Sequence, residues 1–163
     1  MEVIRRGSGV RMLGLRFRNL LVGAGLFLGT VIGANSARPL PPVGECPQPR
    51  FTGKAPDEYY RRSNPLPADD RNVEAGRALY RGGAKLGCAV CHGDKGDGRG
   101  RLSRQFDPPP RNFACAETVN GIPDGQLFWI IRFGSPGTSM PPHPDFSDEQ
   151  VWQLVLHLRR LAG

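Results

Sequence analysis

The feature that most constrains this chain is the pentapeptide CAVCH at residues 88–92. Two cysteines separated by two residues and followed directly by a histidine are the attachment pattern of a covalent haem. Half of a zinc site and a redox-active dithiol share part of this pattern. The flanking sequence, however, predicts a helix and a glycine-rich loop, not the strands of a thioredoxin-like site. The other cysteines and histidines also lack the short paired spacing of zinc ligands: Cys46, Cys115, His143 and His157.

The spacing of the motif suits haem chemistry. Cys88 and Cys91 can each add as a thioether to one of two vinyl groups on adjacent pyrroles. His92 then lies under the ring, where one imidazole nitrogen can coordinate iron. The sequence therefore predicts one covalent haem c with its iron, held by these three residues.

The first 37 residues resemble an export sequence. Five arginines precede an apolar run at residues 20–34, and small residues follow at 35–37. This is the order of a cleaved signal peptide, and the run is short for a membrane-spanning helix, which needs about 20 residues. A repeated G-x-x-x-G at Gly25, Gly29 and Gly33 instead suits a packed transmembrane anchor. We predict a signal peptide over a retained anchor, and in both cases a body in the periplasm or another space outside the cytoplasm.

The basic charge of the chain is concentrated in this leader. The formal net charge is +7, but from Arg38 onward 17 basic and 14 acidic residues leave +3. A nearly neutral body gives little support to nucleic-acid binding.

Residues 38–71 form a proline-rich segment without a helical or strand period, which we call the arm. Such composition is typical of a tether, yet Tyr59 and Tyr60 are unusual in a free linker. We therefore expect an extended arm that lies partly on the domain that follows it, at residues 72–163.

The haem motif leaves two of the four cysteines unused, Cys46 in the arm and Cys115 in the domain. Outside the cytoplasm such a pair favours a disulfide. Two buried free thiols are the alternative. Lipid attachment at Cys46 is disfavoured because this residue lies about ten positions beyond the predicted cleavage site.

Three longer segments of the domain have helical patterns. The first begins near Asp70 or Asn72, the second near Asp124 before a stop at Gly134, and no segment has a strand pattern. The last is the clearest, because Ser147 and Gln150 form a capping box before an apolar stripe. The sequence predicts an all-α domain whose small core is completed by the haem.

The second axial ligand of the iron can be sought among few residues. Met140 is the only methionine outside the leader, and it lies in the irregular stretch GSPGTSMPPHP, which prolines stiffen. His143, in the same stretch, is the second candidate, whereas His157 lies among the apolar residues of the last helix and is interpreted as a packing residue. A Met140 thioether would favour Fe(II) and leave no open coordination position.

Residues 72–163 resemble a class I c-type cytochrome, a monohaem domain with histidine and methionine ligands. The resemblance rests on Cys88, Cys91, His92, the late Met140 and the terminal helices. It implies a small cytochrome c fold of three to five helices around one haem, preceded here by the arm.

The resemblance also implies two contacts. The first and last helices should cross where Gly76 and Tyr80 meet Leu154, with His157 at a position usually aromatic. A proline carbonyl from residues 108–110 should accept the N–H of the proximal histidine, and we take Pro109 and Pro110 as the candidates.

The function predicted is electron transfer, by a soluble or tethered periplasmic shuttle or by the haem subunit of a respiratory or dehydrogenase complex, with membrane association of that complex left open. Its partners would be redox proteins, and not nucleic acid. The alternative is a haem enzyme, peroxidase-like or converting sulfur or nitrogen oxides, which would need a displaceable distal ligand. A sensor ranks last, since no output domain is present. Four arginines either form a docking patch near the haem edge or belong to a solvated face: Arg99, Arg101, Arg104 and Arg111.

Overall fold

The three longer helices follow from the apolar periods and caps read in the sequence, and the rest of the fold is arranged around them. The structure is a computed structural model, and it describes residues 42–48, 50, 52–82 and 86–163. The described residues from 42 to 163 form one compact unit. The predicted signal peptide or anchor at residues 1–37 lies outside the described residues. None of the helices in the described ranges is long and apolar enough to span a membrane.

The described residues are all-helical, with no strand, which confirms the predicted fold class. They contain six α-helices and one 3₁₀ turn at Ser103–Gln105; the α-helices are α1 (Asp57–Tyr60), α2 (Asp70–Arg81), α3 (Ala89–His92), α4 (Ala116–Val119), α5 (Asp124–Phe133) and α6 (Asp148–Ala162). Because α1 lies in the arm, the described residues of the domain itself contain five α-helices, within the three to five expected. Helices α1, α3 and α4 are four-residue turns, too short to show a helical period.

The ends of the longer helices are set by local side chains. Ser147 and Gln150 form the predicted capping box of α6. Helix α2 is capped by Asp69, whose carboxylate accepts the N–H of Asn72 at 2.9 Å, so the cap lies just before the residues predicted for it. Helix α2 ends at Arg81 and is followed by Gly82, whose positive φ of 84° suits a glycine after a last helical turn.

The core of the domain is the crossing of α2 and α6. A Cβ atom added at Gly76 would lie 2.0 Å from the carbonyl oxygen of Gln153, so the two backbones meet with no room for a side chain. One turn further on, the rings of Tyr80 and His157 pack edge to face at 5.1 Å. His157 thus occupies the aromatic position of the crossing. Leu154 is also buried in this core.

The described part of the arm packs on the domain through named contacts. The backbone of the arm pairs with the amide of Gln126, whose Oε1 accepts from Ala55 N–H at 2.7 Å and whose Nε2 donates to Gly53 at 2.9 Å. The Tyr59 ring lies against those of Phe128 and Phe133. The tyrosine is therefore used in packing, as its presence in a proline-rich segment suggested.

Candidate haem site

The four predicted haem residues border one pocket. Cys88, Cys91, His92 and Met140 all line it. The other walls are mainly apolar and aromatic side chains from α2, α5, α6 and the segment after the 3₁₀ turn: Tyr80, Phe113, Leu127, Ile131, Leu154 and Leu158. An apolar pocket that contains two thiols, an imidazole and a thioether fits a covalently attached haem, because the macrocycle needs apolar walls and the iron needs axial ligands.

The two motif cysteines are positioned by the single turn of α3. Cys88 precedes this helix and its carbonyl accepts the N–H of His92 at 2.8 Å, which holds both ends of the motif in one turn. Burial raises the pKa of the Cys88 thiol to about 11 and also raises the pKa of the Cys91 thiol. Both sulfurs are therefore uncharged near neutral pH, as an apolar pocket favours.

His92 is buried and oriented by two contacts. Its Nδ1 lies 2.9 Å from the carbonyl oxygen of Arg111, and its ring stacks on Phe113 at 4.5 Å. Burial is the main cause that lowers the pKa of His92 to about 4, so the imidazole is neutral. A neutral ring that donates from Nδ1 leaves Nε2 available to coordinate iron.

The acceptor for His92 corrects the prediction from the resemblance, which placed that role on Pro109 or Pro110. Both prolines line the pocket, but their carbonyls are bonded to the arm. The Pro110 oxygen accepts from Gln48 Nε2 at 3.3 Å, and the Pro109 oxygen accepts from a guanidinium nitrogen of Arg50. The carbonyl of Arg111, the next along the chain, is therefore the acceptor for His92.

Met140 reaches the pocket from the segment between α5 and α6. Its carbonyl accepts the N–H of Ser135 at 3.2 Å, and its own N–H donates to the Thr138 hydroxyl at 3.2 Å. These bonds fix the backbone of the methionine, while its side chain packs against the hydrophobic core. The chemistry and placement of this thioether fit an axial ligand.

Of the other two histidines, one is near the site and one lies in the helix crossing. His143 borders the same pocket, but its ring stacks on Phe146 at 5.5 Å. His157 is buried against Tyr80, and neither of its ring nitrogens has a hydrogen-bond partner among the described residues. This arrangement favours Met140 as the distal ligand and agrees with the packing interpretation of His157.

The structure joins Cys46 and Cys115 in a disulfide, with their Cα atoms 5.6 Å apart, within the usual range. A carboxylate oxygen of Glu117 lies 3.4 Å from each sulfur. Bonded sulfurs are not thiolate ligands, so these three residues do not form a metal site. The bridge holds the arm beside the segment that carries Arg111.

Arg111 is not part of the suggested surface patch, because it is buried, whereas Arg99, Arg101 and Arg104 are exposed. Sequence reasoning also missed Gln48, which bonds the backbone on both sides of Arg111: its Oε1 accepts from Asn112 N–H at 2.8 Å. No signal in the sequence marks Gln48, because its role depends on where the disulfide places it.

The fold and the site define a class I c-type cytochrome, a domain that transfers electrons through a covalently bound haem c. Residues 71–158 match the family described as cytochrome c oxidase, cbb3-type, subunit III. This match covers more than half of the chain, and the chain belongs to that family.

A solved structure similar to this chain is that of the Kuenenia stuttgartiensis reducing HAO-like protein complex Kustc0457/Kustc0458. The identity is 26% over 61% of this chain and 47% of the solved chain, with a TM-score of 0.53. This chain thus spans about half the length of that one. No curated protein matches the chain.

Proposed function

We propose that the protein carries single electrons outside the cytoplasm through a low-spin haem bound by His92 and Met140, and that it does so as the haem subunit of a larger redox complex. A haem in this site supplies one-electron exchange between Fe(II) and Fe(III). The chain's own residues attach it, exclude water from it and fix its axial ligands.

One observation carries the assignment of the ligands: an apolar pocket contains Cys88, Cys91 and His92, which lie at or in the short helix α3, together with Met140 from a distant part of the chain. A thioether at the sixth position occupies the place that a substrate would need. A carrier is therefore favoured over a peroxidase-like or oxide-converting enzyme.

The role as a subunit is supported by the comparisons with known proteins and by the contacts of the arm. The family description names an oxidase subunit, and the similar solved structure is part of a protein complex. In addition, the arm is bonded to the domain over its described length, so it is more than a linker. A freely diffusing periplasmic shuttle is the alternative role.

The ligand assignment is tested by spectroscopy of the purified full chain. Acid–acetone extraction should leave the haem on the polypeptide, and a Cys88→Ala/Cys91→Ala variant should lose covalent haem. The ferric protein should show the near-infrared charge-transfer band of a methionine ligand. The ferrous protein should not bind carbon monoxide readily. Rapid carbon monoxide binding with no methionine band would instead support an enzyme or sensor.

The cellular role is tested separately, on native protein. N-terminal sequencing that begins near residue 37 supports a cleaved signal, whereas an intact run at residues 20–34 indicates an anchor. Purification under mild detergent should recover a stable complex with other redox proteins. Recovery of the haem protein alone from the soluble periplasmic fraction would favour the shuttle.

A further inference from the structure

Two arginines border the haem pocket, and neither has a negative partner among the described residues. Arg50 comes from the arm and Arg111 from the segment that holds His92, and both line the pocket. Arg111 is only 8% exposed. Within the described ranges of the chain neither guanidinium makes an ion pair, and the Arg50 Nε atom is buried without a hydrogen-bond partner.

The contacts that these side chains do make are with backbone oxygens. Arg50 donates to the carbonyl of Pro109, and Arg111 donates to that of Gln48 at 3.4 Å. A guanidinium has five N–H donors, so each retains unused donors at the pocket wall. Carbonyl oxygens are neutral and do not compensate the positive charges of the buried Arg111 and the half-buried Arg50.

The charges of Arg50 and Arg111 also favour the binding of an anion. Arg50 donates to the carbonyl of Pro109, two residues before Arg111, so the two like charges face the same part of the pocket. Two like charges that destabilise one another in an apolar surrounding are compensated when an anion binds between them. A carboxylate suits this position, because the fork of a guanidinium matches its two oxygens.

We propose that Arg50 and Arg111 bind a propionate of the haem, so that the arm completes the cofactor site. The haem is the anionic ligand that must enter this pocket, and its propionates are its negatively charged groups. Arg50 lies outside residues 71–158, which match the family, so its contribution belongs to the arm of this chain. The disulfide between Cys46 and Cys115 then fixes the start of the segment that carries Arg50.

The test compares Arg50→Gln with Arg61→Gln in the full-length holoprotein. Arg61 is the matched control, because it lies in the same arm but its side chain is 75% exposed. A cation near the haem stabilises the reduced state, since reduction removes one positive charge from the iron. Arg50→Gln should therefore lower the reduction potential and shift the propionate bending band in resonance Raman spectra. Arg61→Gln should change neither.

A measurement on the unmodified protein covers the case in which Arg50→Gln does not fold. In the diamagnetic ferrous holoprotein, the Arg50 Nε–H resonance should show a nuclear Overhauser effect to a haem propionate methylene. The absence of that contact overturns the proposal, and so does an Arg50→Gln variant whose potential and Raman band match those of Arg61→Gln. The proposal rests on haem attachment at Cys88 and Cys91, which covalent haem content reports independently in the same samples.

Discussion

The contact between α2 and α6 gives the sharpest test of this fold, because one added methyl group should break it. A Cβ atom at Gly76 would lie 2.0 Å from the carbonyl oxygen of Gln153 and 2.5 Å from its carbonyl carbon. Ordinary contact begins at 3.4 Å, so the helices would have to separate by about 1.4 Å. The obstructing atoms are backbone, and no side-chain rotation relieves the clash.

Two opposing effects determine how much Gly76→Ala changes the free energy of unfolding. Alanine in a helix interior is favoured over glycine by about 1 kcal/mol. Overpacking of a close contact costs about 1–3 kcal/mol, occasionally more. Because the displaced element is the whole of α6, which also packs on Tyr80, we expect the upper end of that range. The net loss in the free energy of unfolding should be about 2 kcal/mol.

The assay is denaturant unfolding of the holoprotein, followed by the Soret band and by far-ultraviolet circular dichroism. Gly76→Ala should lower the midpoint with little change in the slope. Ala78→Gly is the control on the exposed side of α2, and it should cost about 1 kcal/mol from helix propensity alone. If Gly76→Ala instead stabilises the protein, propensity dominates and the inferred backbone contact does not exist.

Three further predictions test the site and its support. Met140→Ala should lower the reduction potential and allow carbon monoxide to bind, whereas His143→Ala should keep the wild-type spectrum; the reverse result would make His143 the ligand. Burial lowers the pKa of His157, so the unfolded state takes up its proton first and the protein should lose stability as pH falls below about 6.5. His157→Phe should reduce that loss, which unfolding curves at neutral and acidic pH compare. Replacing Cys46 and Cys115 by serine opens a loop of 69 residues and should cost on the order of 4 kcal/mol; joined peptides in a non-reducing map would verify the bridge first.

The residues proposed to hold the haem could be singled out in the sequence because each has a local or unique signature. Cys88, Cys91 and His92 are adjacent in a pattern that few other sites use, and Met140 is the only methionine beyond the leader. The long helices could also be predicted from the sequence. Helix α6, for example, has fifteen residues and a capping box. In contrast, α3 contains four residues, less than the length over which an apolar period can be recognised.

Arg111 shows why the electrostatics of the site could not be predicted. In the sequence it is one of several arginines after the haem motif, and a charged residue is exposed by default. Its burial depends on the arm, because Gln48 packs over its backbone and accepts a hydrogen bond from its guanidinium. Contacts between residues more than 60 positions apart leave no periodic trace in the sequence.

The proximal histidine illustrates how such a distant contact decides a local one. Among the successive carbonyls of Pro109, Pro110 and Arg111, the first two are those that the resemblance predicts as acceptors for His92. In the structure the arm donates to the first two through Arg50 and Gln48, and the third accepts from the imidazole. Each buried carbonyl thus has a donor. The orientation of His92 therefore depends on the arm as well as on the haem motif, which is why a change in the arm should be detectable at the proposed haem site.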